Sequence, residues 1–193
     1  MKFQKRQTKA NPGDYSLTIL PLARARMYLL QTSGVTDQDD VITDLINAAV
    51  QFIEAGLDFS IDTSGLITQY YDEFPDDGEL PIWHRYIKST DLVVEYWNDS
   101  TWTVFSSSNY RVDLSSAPPR VFLKSTGSWP SDVSDDALNV VRVSFKMDET
   151  HSFLDDIKAA AMTFVAARFG NRENSEEIPD GVMAVINRHK IHS

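Results

Sequence analysis

The sequence has no cysteine, which excludes disulfides, thiolate metal sites and a cysteine nucleophile. That absence suits a reducing compartment, and equally a particle that must persist outside a cell without redox chemistry. No apolar run approaches the ~20 residues of a membrane-spanning helix. The nucleotide-binding patterns Gly-x-x-x-x-Gly-Lys-Ser/Thr and Gly-x-Gly-x-x-Gly are absent. So is the Gly-x-Ser-x-Gly nucleophile elbow. Basic residues are also short: 18 Lys and Arg face 28 Asp and Glu, a net charge of −10.

The basic groups are unevenly placed. Lys2, Lys5, Arg6 and Lys9 fall in the first ten residues, with no acid among them. Setting them aside leaves 14 basic against 28 acidic groups, a net charge of −14. An acidic body repels phosphates, so tight DNA binding is not expected. The sign suits solubility, and also a surface that DNA must pass without sticking. The four basic residues precede no apolar segment, so they do not form a signal peptide. Residues 1–14 are expected to be a flexible basic arm, ended by the turn cluster Asn11-Pro12-Gly13-Asp14.

The remaining chain of this 193-residue protein is 42% apolar overall, ample for a core. Period-3.6 patterns occupy both ends. Pro21 opens a short helix through Leu22, Ala25, Leu29 and Leu30. Thr36 or Asp37 caps a longer helix with the stripe Ile42, Leu45, Ile46, Ala49, Phe52 and Ile53, and Gly56 marks its end. Ser152 caps a helix from Phe153 to Phe169 that Gly170-Asn171 stops. One side of it is small: Ala159, Ala160, Ala166 and Ala167. A last helix starts near Pro179 and carries Val182, Val185 and Ile186.

Between them the period changes. Strands are expected at 66–71, 83–87, 92–97, 102–105, 110–112, 120–123 and 140–145, with turns at Pro75–Gly78 and Asn98–Ser100. The fold class is therefore α+β: N-terminal and C-terminal helices packed as a small bundle, with an inserted antiparallel β module. The expected organisation is one domain over 15–193, helical at 16–59 and 152–190, with the β module at 60–147.

Candidate chemistry is thin. His84 sits in an expected strand, at a surface or half-buried position. His189 and His192 share a helix face but lack a third ligand, so no metal site is expected. Asp37, Asp39 and Asp40 lack the glycine and glutamate of a calcium loop and read as helix-capping acids. Asp72, Glu73, Asp76, Asp77 and Glu79 surround a turn; a carboxylate pair there would suit a carbohydrate hydrolase. The aromatics of the β module would suit a carbohydrate-binding platform, but a small sheet also needs them as core. No catalytic residue and no cofactor is assigned.

The order of local sequences resembles one known group over about residues 16–190. The segments are Pro21-Leu22-Ala23-Arg24-Ala25-Arg26; Thr36-Asp37-Gln38-Asp39-Asp40 before the long helix; and Asn109-Tyr110-Arg111-Val112-Asp113. Pro119 to Lys124, Gly127-Ser128-Trp129-Pro130 and Asn139 to Phe145 follow, then Phe169-Gly170-Asn171-Arg172-Glu173 and Ile178-Pro179. This layout resembles the head–tail connector (adaptor) proteins of tailed bacteriophages. It departs at Lys146–His151, where the group usually has a glycine-containing loop and a proline.

The resemblance implies a structural virion protein of the neck, assembled in the host bacterial cytoplasm. It implies a homo-oligomeric ring, commonly of twelve, beneath the portal protein, which extends the DNA channel and docks a stopper or tail-completion protein. It implies no enzyme activity, no membrane and no sequence-specific DNA binding. Ala159, Ala160, Ala166, Arg172, Val182, Ile186 and His189 are the candidate portal or subunit interface. Another neck or tail-completion component is the alternative.

Overall fold

The computed structural model describes residues 6–8, 12–30, 36–134, 137–170 and 177–190, with side chains from Ser16 onward. The chain divides into two compact units. One holds Thr63–Asp148 with a strand from the N-terminal segment; the other holds the helices on either side in sequence.

The helical unit is built on α1 (Pro12–Ile19), α2 (Leu22–Tyr28), α3 (Asp39–Leu57), α4 (Phe153–Gly170) and α5 (Asp180–His189). α1 begins inside the stretch expected to be an arm. Pro12 lacks an amide hydrogen and has a fixed φ, so it suits a first helical turn as well as a loop. Pro21 stands just ahead of α2 and its carbonyl accepts from Arg24 N (2.9 Å) and Ala25 N (3.1 Å).

α3 buries Ile42, Ile46, Ala49, Val50, Ile53 and Leu57, while Leu45 and Phe52 of the expected stripe are half-buried. Its start differs from expectation: Gln38 is the N-cap, and Thr36 contributes only its carbonyl, to Asp39 N at 3.1 Å. Asp39 and Asp40 lie in the first turn, where the helix dipole favours them, and Arg26 pairs with Asp39. Its end differs too. The helix runs through Gly56 to Leu57, and Asp58 turns the chain at φ 63°. Gly56 serves packing instead: a Cβ there would lie 2.8 Å from both Cδ1 and Cγ2 of Ile186.

α4 packs against α1, α2, α3 and α5. That central place explains its many buried apolar residues, from Phe153 and Leu154 to Phe164 and Val165. Phe52 and Phe164 meet at 5.6 Å between ring centroids, and Phe59 and Phe153 at 6.0 Å. The side chain that reaches α4's first N–H is His151, whose Nδ1 accepts from Phe153 N at 3.1 Å; Ser152, the expected cap, supplies its carbonyl to Asp155 N. The α4 helix includes Gly170; Asn171 of the expected stop lies outside the described residues.

The β unit contains two antiparallel sheets. The first has the order β1-β2-β8-β4-β5, from Arg6–Thr8, Ile67–Tyr71, Val141–Phe145, Val93–Trp97 and Trp102–Val104. The second has the order β3-β7-β6, from Glu79–Pro81, Arg120–Leu123 and Tyr110–Asp113. Register sets the faces: Ile67 lies opposite Phe145, Gln69 opposite Val143 and Tyr71 opposite Val141. Apart from the buried polar Gln69, these inward positions join Leu80, Val94, Tyr96, Phe105, Tyr110 and Val121 in one core. Phe74, Trp97 and Trp129 pack on it, so much of the aromatic content is core. Gly78 closes the Pro75 turn at φ 76°, a value that favours glycine.

The expected strand at 83–87 does not form. His84 N donates to Ile82 O (2.7 Å), a three-residue turn, and Tyr86 has φ 58°. Neither fits an extended ladder. Only Ile87 bridges, to Met147. His84 is 0% exposed, not at the surface or half-buried, and its ring meets Phe145 edge-on.

Candidate assembly surfaces

The interface candidates on α4 and α5 divide by burial. Val182 is 0%, Ile186 3% and His189 7% exposed, and Ala160 is also buried. All four are occupied within the helical unit. Ala166 is half-buried and Ala159 is exposed. Arg172 lies outside the described residues, as does His192. A clamp joins α4 and α5: Asp156 Oδ2 accepts from His189 Nε2 at 2.9 Å and from Arg188 Nη1 at 3.1 Å. The His189 hydrogen bond, helped by Arg188, holds the Asp156 carboxyl below the usual aspartate range.

The acidic turn of the β unit is split between two cavities. One, of about 550 Å³, is lined by Asp77, Glu79, Pro81, Trp83, Pro118 and Arg120 among others. Arg120 pairs with Glu79, and its Nε lies 3.8 Å from Asp113 Oδ2. Glu79 is thus a counter-ion there. The other, of about 260 Å³, is lined by Asp72, Glu73, Phe74, Val133 and Ser134 among others. Asp72 Oδ1 accepts from Asn139 N at 3.0 Å. Of the five acids around this turn, Asp77 and Glu79 line one cavity and Asp72 and Glu73 the other. Among the described residues no group of three or more His, Cys, Asp or Glu is placed to hold a metal ion. Nor is any helix there long and apolar enough to cross a membrane.

The first sheet carries a cluster with no counterpart in the sequence reading. Arg142 on β8 donates from Nε to Glu95 Oε2 (2.7 Å) and from Nη2 to Glu95 Oε1 (2.9 Å), a bidentate pair. The guanidinium lies 4.2 Å over the Trp102 ring, and Tyr70 meets Trp102 edge-on. The glutamate hydrogen bonds push the Arg142 pKa up further. Glu95 and Arg142 are register partners across β4 and β8. Only knowledge of that pairing would single them out.

No protein-family model matches the chain. No curated protein matches it either. Solved structures do. A chain from the neck of an empty gene transfer agent (GTA) particle, computed with C6 symmetry, is similar over 100% of this chain and 97% of that one, at TM-score 0.67 and 16% identity. A chain from the neck of the native GTA particle, computed with C12 symmetry, matches with the same coverage at TM-score 0.68 and 18% identity. This chain has the fold of a GTA neck chain.

A third match, from the virion of the native particle, has TM-score 0.69 and 18% identity over the same shares. The likeness to the GTA neck fold spans both units, and it agrees with the sequence resemblance to head–tail connectors. At this identity it describes the backbone path.

Proposed function

We propose that the protein is a structural component of a phage-like particle neck: a head–tail connector that forms a ring under the portal protein. The observation that carries this is the fold likeness over the whole chain to a GTA neck chain. The ring, of twelve subunits, extends the DNA channel and docks a stopper or tail-completion protein. It assembles in the host bacterial cytoplasm and stays in the virion neck. Its role needs no catalysis. Acidic residues suit a channel wall, since a wall of that sign does not hold passing DNA. Ring closure requires two different, complementary surfaces on each subunit. Ala159 is exposed for such a contact and Ala166 partly so. Arg172 is proposed to join them. Val182, Ile186 and His189 support that surface from within by fixing α5 on the bundle.

The test is electron microscopy of a lysate in which this gene carries a stop codon. The expected result is heads without tails, some empty of DNA, beside free tails. Normal infectious particles would refute the proposal.

A further inference from the structure

The kink at Ile82–His84 sets a large aromatic side chain at the edge of a cavity. Ile82 and His84 are both fully buried, while Trp83 between them is half-buried and lines the cavity of about 550 Å³. The backbone there is fastened at three successive residues. Ile82 N donates to Pro119 O (2.7 Å), Trp83 N to Gln69 Oε1 (3.0 Å) and His84 N to Ile82 O (2.7 Å). Gln69 is an unusual choice for this task. It is 1% exposed in the middle of β2, and its Nε2 has no hydrogen-bond partner. A buried polar atom left unpaired costs stability, so the fold gives up some stability to fix the Trp83 backbone.

The rest of the cavity has mixed chemistry. Its floor comes from the second sheet, where Pro81 on β3 and Arg120 on β7 are register partners and Glu79 precedes them on β3. Ser116 and Pro118, from the loop between β6 and β7, complete the wall. Trp83, Pro81 and Pro118 give apolar surface. Arg120 gives hydrogen-bond donors, and Glu79 and Asp77 give acceptors. Arg120 and Glu79 pair with each other, yet their side chains stay 40% and 47% exposed, so a ligand can reach both. An apolar ligand would strand these polar groups. An anion would meet two carboxylates, and a cation would meet Arg120. A sugar ring meets all of the requirements: it is uncharged, its C–H face lies flat on an indole, and its hydroxyls both donate and accept.

We propose that this cavity is a carbohydrate site. It takes a neutral oligosaccharide, with one ring stacked on Trp83 and hydroxyls bonded to Arg120, Glu79 and Asp77. The volume falls within the ~300–1,000 Å³ of small-ligand sites. The fastened Trp83 backbone reduces the ordering that binding must otherwise impose. The inference concerns the β unit alone and does not rest on the connector reading.

Saturation-transfer NMR of the full chain tests it. Maltotriose, cellotriose and chitotriose are the neutral probes, and trigalacturonate is the acidic one. At least one neutral probe is expected to give saturable transfer, and trigalacturonate to bind about tenfold more weakly or not at all. Trp83→Ala should weaken the neutral probe by about tenfold or more. Arg120→Gln should weaken it about fivefold and leave the melting temperature nearly unchanged, because an exposed ion pair adds little to stability. No saturable transfer from any neutral probe would overturn the proposal. So would binding that both variants leave intact, which would place the sugar elsewhere. Tighter binding of trigalacturonate would also overturn it, and would make Arg120 the centre of an anion site.

Discussion

Replacing Gly56 with alanine tests whether α5 is seated on α3 as described. In an open helix the change is favourable by about 0.5–1 kcal/mol, because alanine loses less backbone entropy. Here the new Cβ would lie 2.8 Å from Cδ1 and Cγ2 of Ile186, well inside the 3.5–4.0 Å of carbon contact. Isoleucine is stiff at χ1, so no cheap rotamer clears both methyls. Overpacking of this kind costs about 1–3 kcal/mol. The net expectation is a loss of about 0.5–2 kcal/mol, a fall of roughly 1–8 °C in melting temperature for a chain of this size. Ile186→Ala alone should cost about 2–5 kcal/mol. In that background the clash is gone, and Gly56→Ala should stabilise. Circular dichroism melts and urea titrations of the four proteins close the cycle, with an expected coupling of about 1–3 kcal/mol. If Gly56→Ala has the same sign and size in both backgrounds, the packing of Ile186 on Gly56 is wrong.

Arg142→Met should destabilise by about 1–3 kcal/mol in urea unfolding, because Glu95, with a side chain only 17% exposed, then loses both charge-assisted bonds. The Asp156 clamp has a pH signature. Its folded pKa is lowered, so its stabilisation is complete above the ordinary value near 4 and lost as pH falls through the folded pKa. Melting temperature against pH should therefore be shallower below about pH 4 in Asp156→Asn than in wild type. At the alkaline end, burial raises the pKa of Tyr71 strongly and that of Tyr110 less. Their contribution is complete below about pH 10 and is lost as pH rises above it. Ultraviolet titration should show tyrosines ionising late, together with unfolding, and Tyr71→Phe should remove part of that alkaline sensitivity.

Long periodic elements were legible in the sequence because their burial repeats. α3, α4, β2, β4, β7 and β8 all lie close to where their patterns put them. The expected strand at 83–87 fails because a kink at His84 and a positive φ at Tyr86 leave no mark in the pattern. Gly56 looks like a helix stop until Ile186 is seen against it. The α5 stripe of Val182 and Ile186 has the same spacing whether it meets its own chain or another one. Burial assigns it to its own. The Asp72 cavity could not be found from spacing, since Tyr71 pairs with Val141 across β2 and β8, and Asp72 meets Asn139, across a long stretch of intervening chain.

The insertion of the β unit has a consequence for the order in which the molecule is made. α3 packs mainly against α1, α4 and α5, yet all of Thr63–Asp148 is synthesised between α3 and α4. At about 5–20 residues per second, the apolar stripe of α3 therefore waits several seconds on the ribosome for α4 and α5. The β core is drawn almost wholly from one continuous stretch, Ile67 to Phe145, and can close during that wait. A nascent chain can therefore complete its sheets before its helical bundle. The helical bundle, and any subunit contact built on α4, comes last, so unfinished chains have no finished α4 surface for the proposed ring contact.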